Sequence, residues 1–197
     1  MKLIHVDRVP PVPWRNGGGV TRELWAWPSA KEWQVRISVA DIAQDGPFSA
    51  FPGVDRWFTV LQGEGVVLEF AHGFAHDTQV LGPDDAPLRF DGAAAPGCRL
   101  RAGATRDLNL MALRSAGQGR MQRVQAGVPW RSPASVRALF AAEPLQLLAD
   151  AAAPLDLPAW TLAVHPSAAH QTWTVPGPGG APRAWWLAFE PEGTMQS

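Results

Sequence analysis

Apolar positions along this chain recur every second residue in several short runs, the period of a half-buried β-strand rather than of an amphipathic helix. Trp33–Ala40 alternates most cleanly, with Trp33, Val35, Ile37 and Val39 on one face and Gln34, Arg36, Ser38 and Ala40 on the other. Arg56-Trp57-Phe58-Thr59-Val60-Leu61 is rich in β-branched and aromatic residues and is bounded by Pro52-Gly53 and by Gly63-Glu64-Gly65, which predicts a buried strand. Val66–Phe70 then reads as its hairpin partner. Leu3–Val6, Leu88–Gly92, Cys98–Arg101 and Asp107–Leu113 add further strands, the last with Asp107, Asn109 and Met111 on a common face. Pro10–Pro13 is an extended connection that cannot be helical, and Trp14–Glu23 reads as a loop. Ser115–Gly119 has turn residues without core periodicity and is the linker candidate. Beyond it, Val136–Phe140, Leu145–Leu148, Trp160–Val164 and Trp185–Phe189 read as strands, although Pro133–Asp150 also accommodates a helix around Pro144. The expected class is all-β.

Composition narrows this picture mainly by exclusion. The 197 residues, 46% hydrophobic and 18% charged, suffice for one large core or two fused small ones. A formal net charge of −1 without a long Lys/Arg run leaves no electrostatic footprint for nucleic acid or an anionic membrane. Cys98 is the only cysteine, so no intrachain disulfide can form and a reducing cytoplasm fits. Met1–Trp14 lacks the apolar core of a signal peptide, and no apolar run reaches transmembrane length, so a soluble protein is expected. Ten tryptophans and no tyrosine imply apolar burial with few phenol hydrogen bonds.

Chemistry enters through a few polar positions. Arg56 heads a strand that otherwise reads as core, and a buried guanidinium requires an anionic or strongly polar partner. The polar face bearing Arg36 and Ser38 is solvated if the sheet is open and lines a pocket if the sheet closes. Gly17-Gly18-Gly19 either lets the backbone approach a ligand or forms a tight turn; it is not a phosphate loop, because no Gly-Lys-Ser/Thr follows. His72 and His76, interrupted by Gly73, read as loop residues, as do His165 and His170.

Several stretches in order carry a family resemblance: Pro13-Trp14-Arg15-Asn16-Gly17-Gly18-Gly19-Val20-Thr21-Arg22-Glu23-Leu24, Arg36-Ile37-Ser38-Val39-Ala40-Asp41-Ile42, Asp45 through Gly65, Phe90-Asp91-Gly92, and Thr105 through Met111. Together they resemble the HutD/Ves family over about residues 1–115, and the rest of the chain only weakly. The resemblance implies a bicupin, two fused cupin-like halves of RmlC-like jelly-roll type, with residues 1–114 holding the pocket and residues 115–197 forming a degenerate half packed on the first. In metal-binding cupins an imidazole and carboxylate set precedes the closing glycine. Counting back from Gly63 places Arg56 where that Glu would stand and Ser49–Pro52 where the histidines would be, so no metal or other cofactor is expected. A guanidinium there suits a carboxylate instead.

The resemblance further implies an association with histidine utilisation, with N-formylglutamate or urocanate as ligand in a sensing or regulatory role. The expected binding set is Asn16, Gly17, Gly18, Gly19, Thr21, Arg36, Arg56, Asp107 and Asn109. In it Arg56 meets the carboxylate, Asn109 and Thr21 the polar remainder, and Asp107 orients an arginine. No catalytic residue is assigned, because no Ser-His-Asp or Cys-His set assembles from the sequence. A metal-free cupin isomerase or hydrolase and a protein-interaction module stay open as alternatives, as does a homodimer. A structural network in which Arg56 simply pairs with Asp107 or Asp55 is the competing account of the buried cation.

Overall fold

The computed structural model describes residues 1–71, 78–150, 152–166 and 171–192; His72, His76 and His170 lie outside the described residues. The chain divides into two compact units, Pro10–Ser115 and Met1–Val9 together with Ala116–Ser197. The first nine residues thus join the later part of the chain, whereas the sequence assigns them to the N-terminal half. Lys2–His5 pairs antiparallel with Thr161–His165, Lys2 opposite Val164 and His5 opposite Thr161. A short alternating strand carries no local mark of its partner, so this pairing is invisible from the sequence.

In the unit Pro10–Ser115 the strands form two antiparallel sheets. One runs, in spatial order, Val12–Pro13, Gly19–Trp27, Val35–Ile42, Thr105–Leu113, Val54–Gln62, Leu88–Asp91; the other runs Gly46–Pro47, Gly97–Leu100, Val66–Glu69, Thr78–Leu81. Most neighbours are distant in sequence, the connectivity of a jelly roll. Ile42, Phe58 and Val60 from the first sheet and Val66, Leu68, Leu81 and Cys98 from the second make one apolar core.

Two sequence expectations are corrected here. Val66–Glu69 is not the hairpin partner of the Arg56 strand; it pairs with Gly97–Leu100 and Thr78–Leu81 in the other sheet. Gly63-Glu64-Gly65 is the corner between the sheets. Gly63 and Gly65 have φ of +97° and +96°, and the Gly65 carbonyl accepts bonds from Arg101 N at 3.0 Å and Thr105 Oγ1 at 3.3 Å. A short glycine-rich connector serves a hairpin or a corner equally well, and only the distant pairings decide between them. Likewise Trp14–Glu23 is not all loop: Gly19–Trp27 is a strand paired with Val35–Ile42, with a bulge between Glu23 and Trp25. The triple glycine masks its strand character.

The second unit is also all-β. Its five-stranded sheet runs Lys2–His5, Thr161–His165, Val136–Ala141, Ala184–Pro191, Gly117–Arg123, and its four-stranded sheet runs Trp130–Arg131, Thr172–Thr174, Leu145–Ala149, Leu155–Leu157. The helical alternative for residues 133–150 falls away, because Pro144 occupies the connection between two strands. Trp130 stacks on Trp186 with centroids 4.8 Å apart, and Trp173 packs against both. The fully buried Arg137 is consumed by backbone, donating to the carbonyls of Ser132, Ala134 and Gln171. Among the described residues no helix is long and apolar enough to cross a membrane.

The sheet corner makes a stability prediction. A Cβ on Gly65 would meet the Leu81 carbonyl oxygen at 2.0 Å, whereas a Cβ on Gly53, also at positive φ, meets nothing within 4 Å. Gly53→Ala should cost about 1 kcal/mol from backbone strain alone, and Gly65→Ala should exceed about 3 kcal/mol because the clash adds to it. Urea unfolding of the two variants checks this; equal losses would contradict the corner geometry.

Candidate functional site

Strand register brings the polar residues together. On the inward face of the six-stranded sheet, neighbouring strands place Arg36, Met111, Arg56 and Phe90 side by side in one row. The next row is Glu23, Ser38, Asn109 and Phe58, and the one beyond it is Thr21, Ala40, Asp107 and Val60. Phe58 and Val60 belong to the core, so the parity that buries them also turns Arg56 inward, at the end of the same face. A cavity of about 780 Å³ opens over these rows.

Arg56 is 9% exposed and is held from three sides. Its Nε donates to Asn109 Oδ1 at 2.8 Å, and its guanidinium lies 4.4 Å from the Phe48 ring centroid and 5.5 Å from that of Phe90. The Asn109 amide is engaged at both ends, since its Nδ2 donates to Asp107 Oδ2. Asp107 therefore fixes Asn109, and Asn109 fixes Arg56. Among the described residues no carboxylate forms an ion pair with Arg56. Asp55 is occupied by Arg89 at 2.6 Å and Arg114 at 3.1 Å, so the alternative pairings of Arg56 with Asp55 or Asp107 are not formed. Burial pulls the Arg56 guanidinium down to about 10, against the opposing pull of Asp107, and it stays charged at neutral pH. Burial pushes the Asp107 carboxyl up to about 7, although Arg56 and Asn109 draw it down, and its Oδ1 is buried without a partner.

Arg36, the second cation of the row, is differently placed. Its Nη2 donates to the Met111 thioether at 3.1 Å, its Nη1 lies 3.8 Å from Glu23 Oε2, and its guanidinium packs near the rings of Trp33 and Phe51. Burial lowers its pKa and Glu23 raises it.

The loop at the mouth is built by its own polar contacts. Asn16 Oδ1 accepts from Gly18 N at 3.0 Å, Gly17 N donates to Trp14 O at 3.0 Å, and Trp14 Nε1 donates to Thr21 Oγ1 at 2.7 Å. Gly17 has φ of +71°, and a Cβ on Gly19 would stand 2.4 Å from the Asp41 carbonyl oxygen. These glycines serve the turn and the close approach of two strands. Behind them Asp41 binds Arg22 at 2.6 Å and Arg106 at 2.5 Å; burial alone would raise its carboxyl, but these bonds hold it below the ordinary range.

Of the residues singled out by sequence, Asn16, Thr21, Arg36, Arg56 and Asn109 line the cavity, while Gly17, Gly18, Gly19 and Asp107 do not. Glu23, Ser38, Trp14, Phe48 and Phe51 line it without having been singled out as ligands. Ser38 shared the Arg36 face in the alternating pattern, a usable signal; Glu23 was hidden by the loop reading of its segment. Among the described residues no group of three or more His, Cys, Asp or Glu could hold a metal ion. Cys98 is buried in the apolar core, and burial, with Asp107 and Asp45, pushes its thiol up to about 12, far from a thiolate nucleophile.

Comparison with known proteins gives a consistent result. The HutD family model matches residues 7–180. An uncharacterized 21.2 kDa protein in the hutC 3' region of Pseudomonas putida is 36% identical over 144 residues, 72% of this chain and 74% of that protein. Protein Ves of Citrobacter koseri is 37% identical over 116 residues, 58% of this chain and 59% of that protein. The structure of HutD from Pseudomonas fluorescens SBW25 in a formate condition matches with a TM-score of 0.82 at 26% identity, covering 98% of this chain and 99% of that one.

Asp107 sets a pH dependence. Its carboxyl titrates near 7 when folded and near the ordinary 3.8 when unfolded, so between these values the folded protein binds more protons. Its contribution to stability is therefore greatest at low pH and falls as pH rises toward 7. Asp107→Asn, which keeps an acceptor for Asn109, should gain on the wild type over that window by up to about 1.4 kcal/mol per pH unit. Urea unfolding between pH 4 and 8 measures this; a difference independent of pH would contradict it.

Proposed function

This chain belongs to the HutD family, and we propose that its cavity is a metal-independent binding site for a small carboxylate, with Arg56 as the anion anchor. The observation that carries this reading is the state of the Arg56 guanidinium: inward-facing, held through Nε by Asn109, flanked by Phe48 and Phe90, and without an ion-pair partner among the described residues. A buried cation left in this way costs free energy unless an anion completes it. With Nε engaged, the terminal nitrogens form the planar pair of donors that matches two carboxylate oxygens. The aromatic walls provide apolar area for the ligand body. The second cation is part-satisfied by Glu23 and Met111, so Arg56 is the stronger anion site of the two.

Carboxylates of histidine degradation fit this chemistry. Urocanate carries one carboxylate on an unsaturated imidazole body and N-formylglutamate carries two on an amide-bearing one, and both are of the size the cavity admits. The Pseudomonas putida relative is described by its place in the hutC 3' region, and the Pseudomonas fluorescens HutD structure is of a formate condition, formate being the simplest carboxylate. On this reading the protein is a cytoplasmic sensor or regulator in histidine utilisation rather than a catalyst. Neither acid behind the cavity nor Cys98 reaches it: Asp107 is screened by Asn109, and Asp41 is held by two arginines.

Thermal-shift and calorimetric titrations with urocanate, N-formylglutamate and formate, each beside its neutral amide, test the proposal. At least one of the two larger carboxylates should stabilise the protein saturably, its amide should not, and a chelator should change neither result. Equal binding of acid and amide, or binding that appears only with added zinc, iron or manganese, would refute it.

A further inference from the structure

Glu23 is the only carboxylate lining the cavity among the described residues, and it stands at the far end of the Asn109 row from the Arg56 side. A carboxylate beside an anion site needs a reason. Its nearest cation, Arg36, approaches only to 3.8 Å, beyond a hydrogen bond, and spends Nη2 on the Met111 thioether. Among the described residues no hydrogen bond reaches the Glu23 oxygens. They stay available as strong acceptors facing the same space that Arg56 faces as a donor.

The register sets the distance between the two. Arg56 and Glu23 lie on strands separated by the Asn109 and Ser38 strands, three steps of about 4.8 Å across the sheet. Both residues line the cavity, with the polar side chains of Ser38 and Asn109 lining it on the strands between them. The cavity thus offers a cationic donor, Arg56, on one side and a carboxylate acceptor, Glu23 beside Arg36, on the other.

We propose that Glu23 accepts a hydrogen bond from an N–H group of the same ligand whose carboxylate meets Arg56, so that the site selects carboxylates bearing an N–H donor over isosteres without one. This inference rests on the carboxylate reading of the cavity and adds the chemical class that occupies its other end. Arg36 stands beside Glu23 only as a neighbouring charge, 3.8 Å away. The preference comes from Glu23 itself, because an acceptor facing a ligand atom that cannot donate is left desolvated and unpaired.

Calorimetry with urocanate, 3-(furan-3-yl)acrylate and 3-(1-methylimidazol-4-yl)acrylate tests this, since all share the acrylate and a five-membered ring, the furan lacks both ring nitrogens, and the methylated imidazole lacks only the N–H. The wild type should prefer urocanate to each of the others by at least about tenfold, the size of a hydrogen bond to a charged group. Glu23→Met should weaken urocanate to the level of the other two while leaving those within about threefold, and that retained binding reports a folded cavity. Arg36→Met should keep the ratios, whatever it does to the affinities. Equal binding of urocanate and either other compound by the wild type, equal weakening of all three by Glu23→Met, or loss of the ratios in Arg36→Met would overturn the role of Glu23 and leave the Arg56 site standing. If none of the compounds binds the wild type, the carboxylate reading falls for these ligands and the inference falls with it.

Discussion

A guanidinium turned into a jelly roll is the constraint around which the site is built. Arg56 faces inward because Phe58 and Val60, on the same strand face, must reach the core, and the period of a strand leaves no choice of direction. Its charge is then handled by a relay instead of an ion pair: Asp107 engages the Asn109 amide, and Asn109 takes the Arg56 Nε. An amide between acid and base keeps the negative charge from neutralising the cation at contact distance. The guanidinium is oriented without being used up, and burial pushes the Asp107 carboxyl up to about 7 against the pull of Arg56 and Asn109.

The remaining architecture holds that relay in place. All its members project from neighbouring strands, so their spacing is set by ladder hydrogen bonds and not by loops. Close approaches brace the fold on both sides, Gly19 against Asp41 within the six-stranded sheet and Gly65 at the corner against Leu81 of the other sheet, at distances that leave no room for a side chain. The aromatic rings on the guanidinium come from outside the central strands, Phe48 from the connection between Gly46–Pro47 and Val54–Gln62 and Phe90 from the sheet edge. Two cations in one row with a single acid at the next make the cavity electrically uneven.

Much of this was legible along the chain, and the failures share a cause. Alternation located a strand at Trp33–Ala40 and put Asp107, Asn109 and Met111 of Asp107–Leu113 on one face, and β-branched and aromatic content located Arg56–Leu61, because both signals are local. Arg56 was conspicuous as a charge in an apolar run. Pairing is not local, so Val66–Phe70 was given the wrong neighbour and the N-terminal strand was given none. The glycines at 17 to 19 invited a ligand reading, but the space around Gly19 is filled by protein. Glu23 was lost because a strand whose first residue ends a run of three glycines looks like a loop, and with it went the one carboxylate lining the cavity among the described residues.

The central claim is that the Arg56 charge exists for a ligand and not for the fold, and Arg56→Met tests it most directly. Calorimetry with whichever carboxylate binds the wild type should show a loss of about 2–5 kcal/mol in affinity, the range for removing one member of a buried charge pair. Melting of the unliganded variant should change little, since no ion pair is broken. A variant that fails to fold, or that binds the carboxylate as tightly as the wild type, would contradict the account and make Arg56 a structural residue.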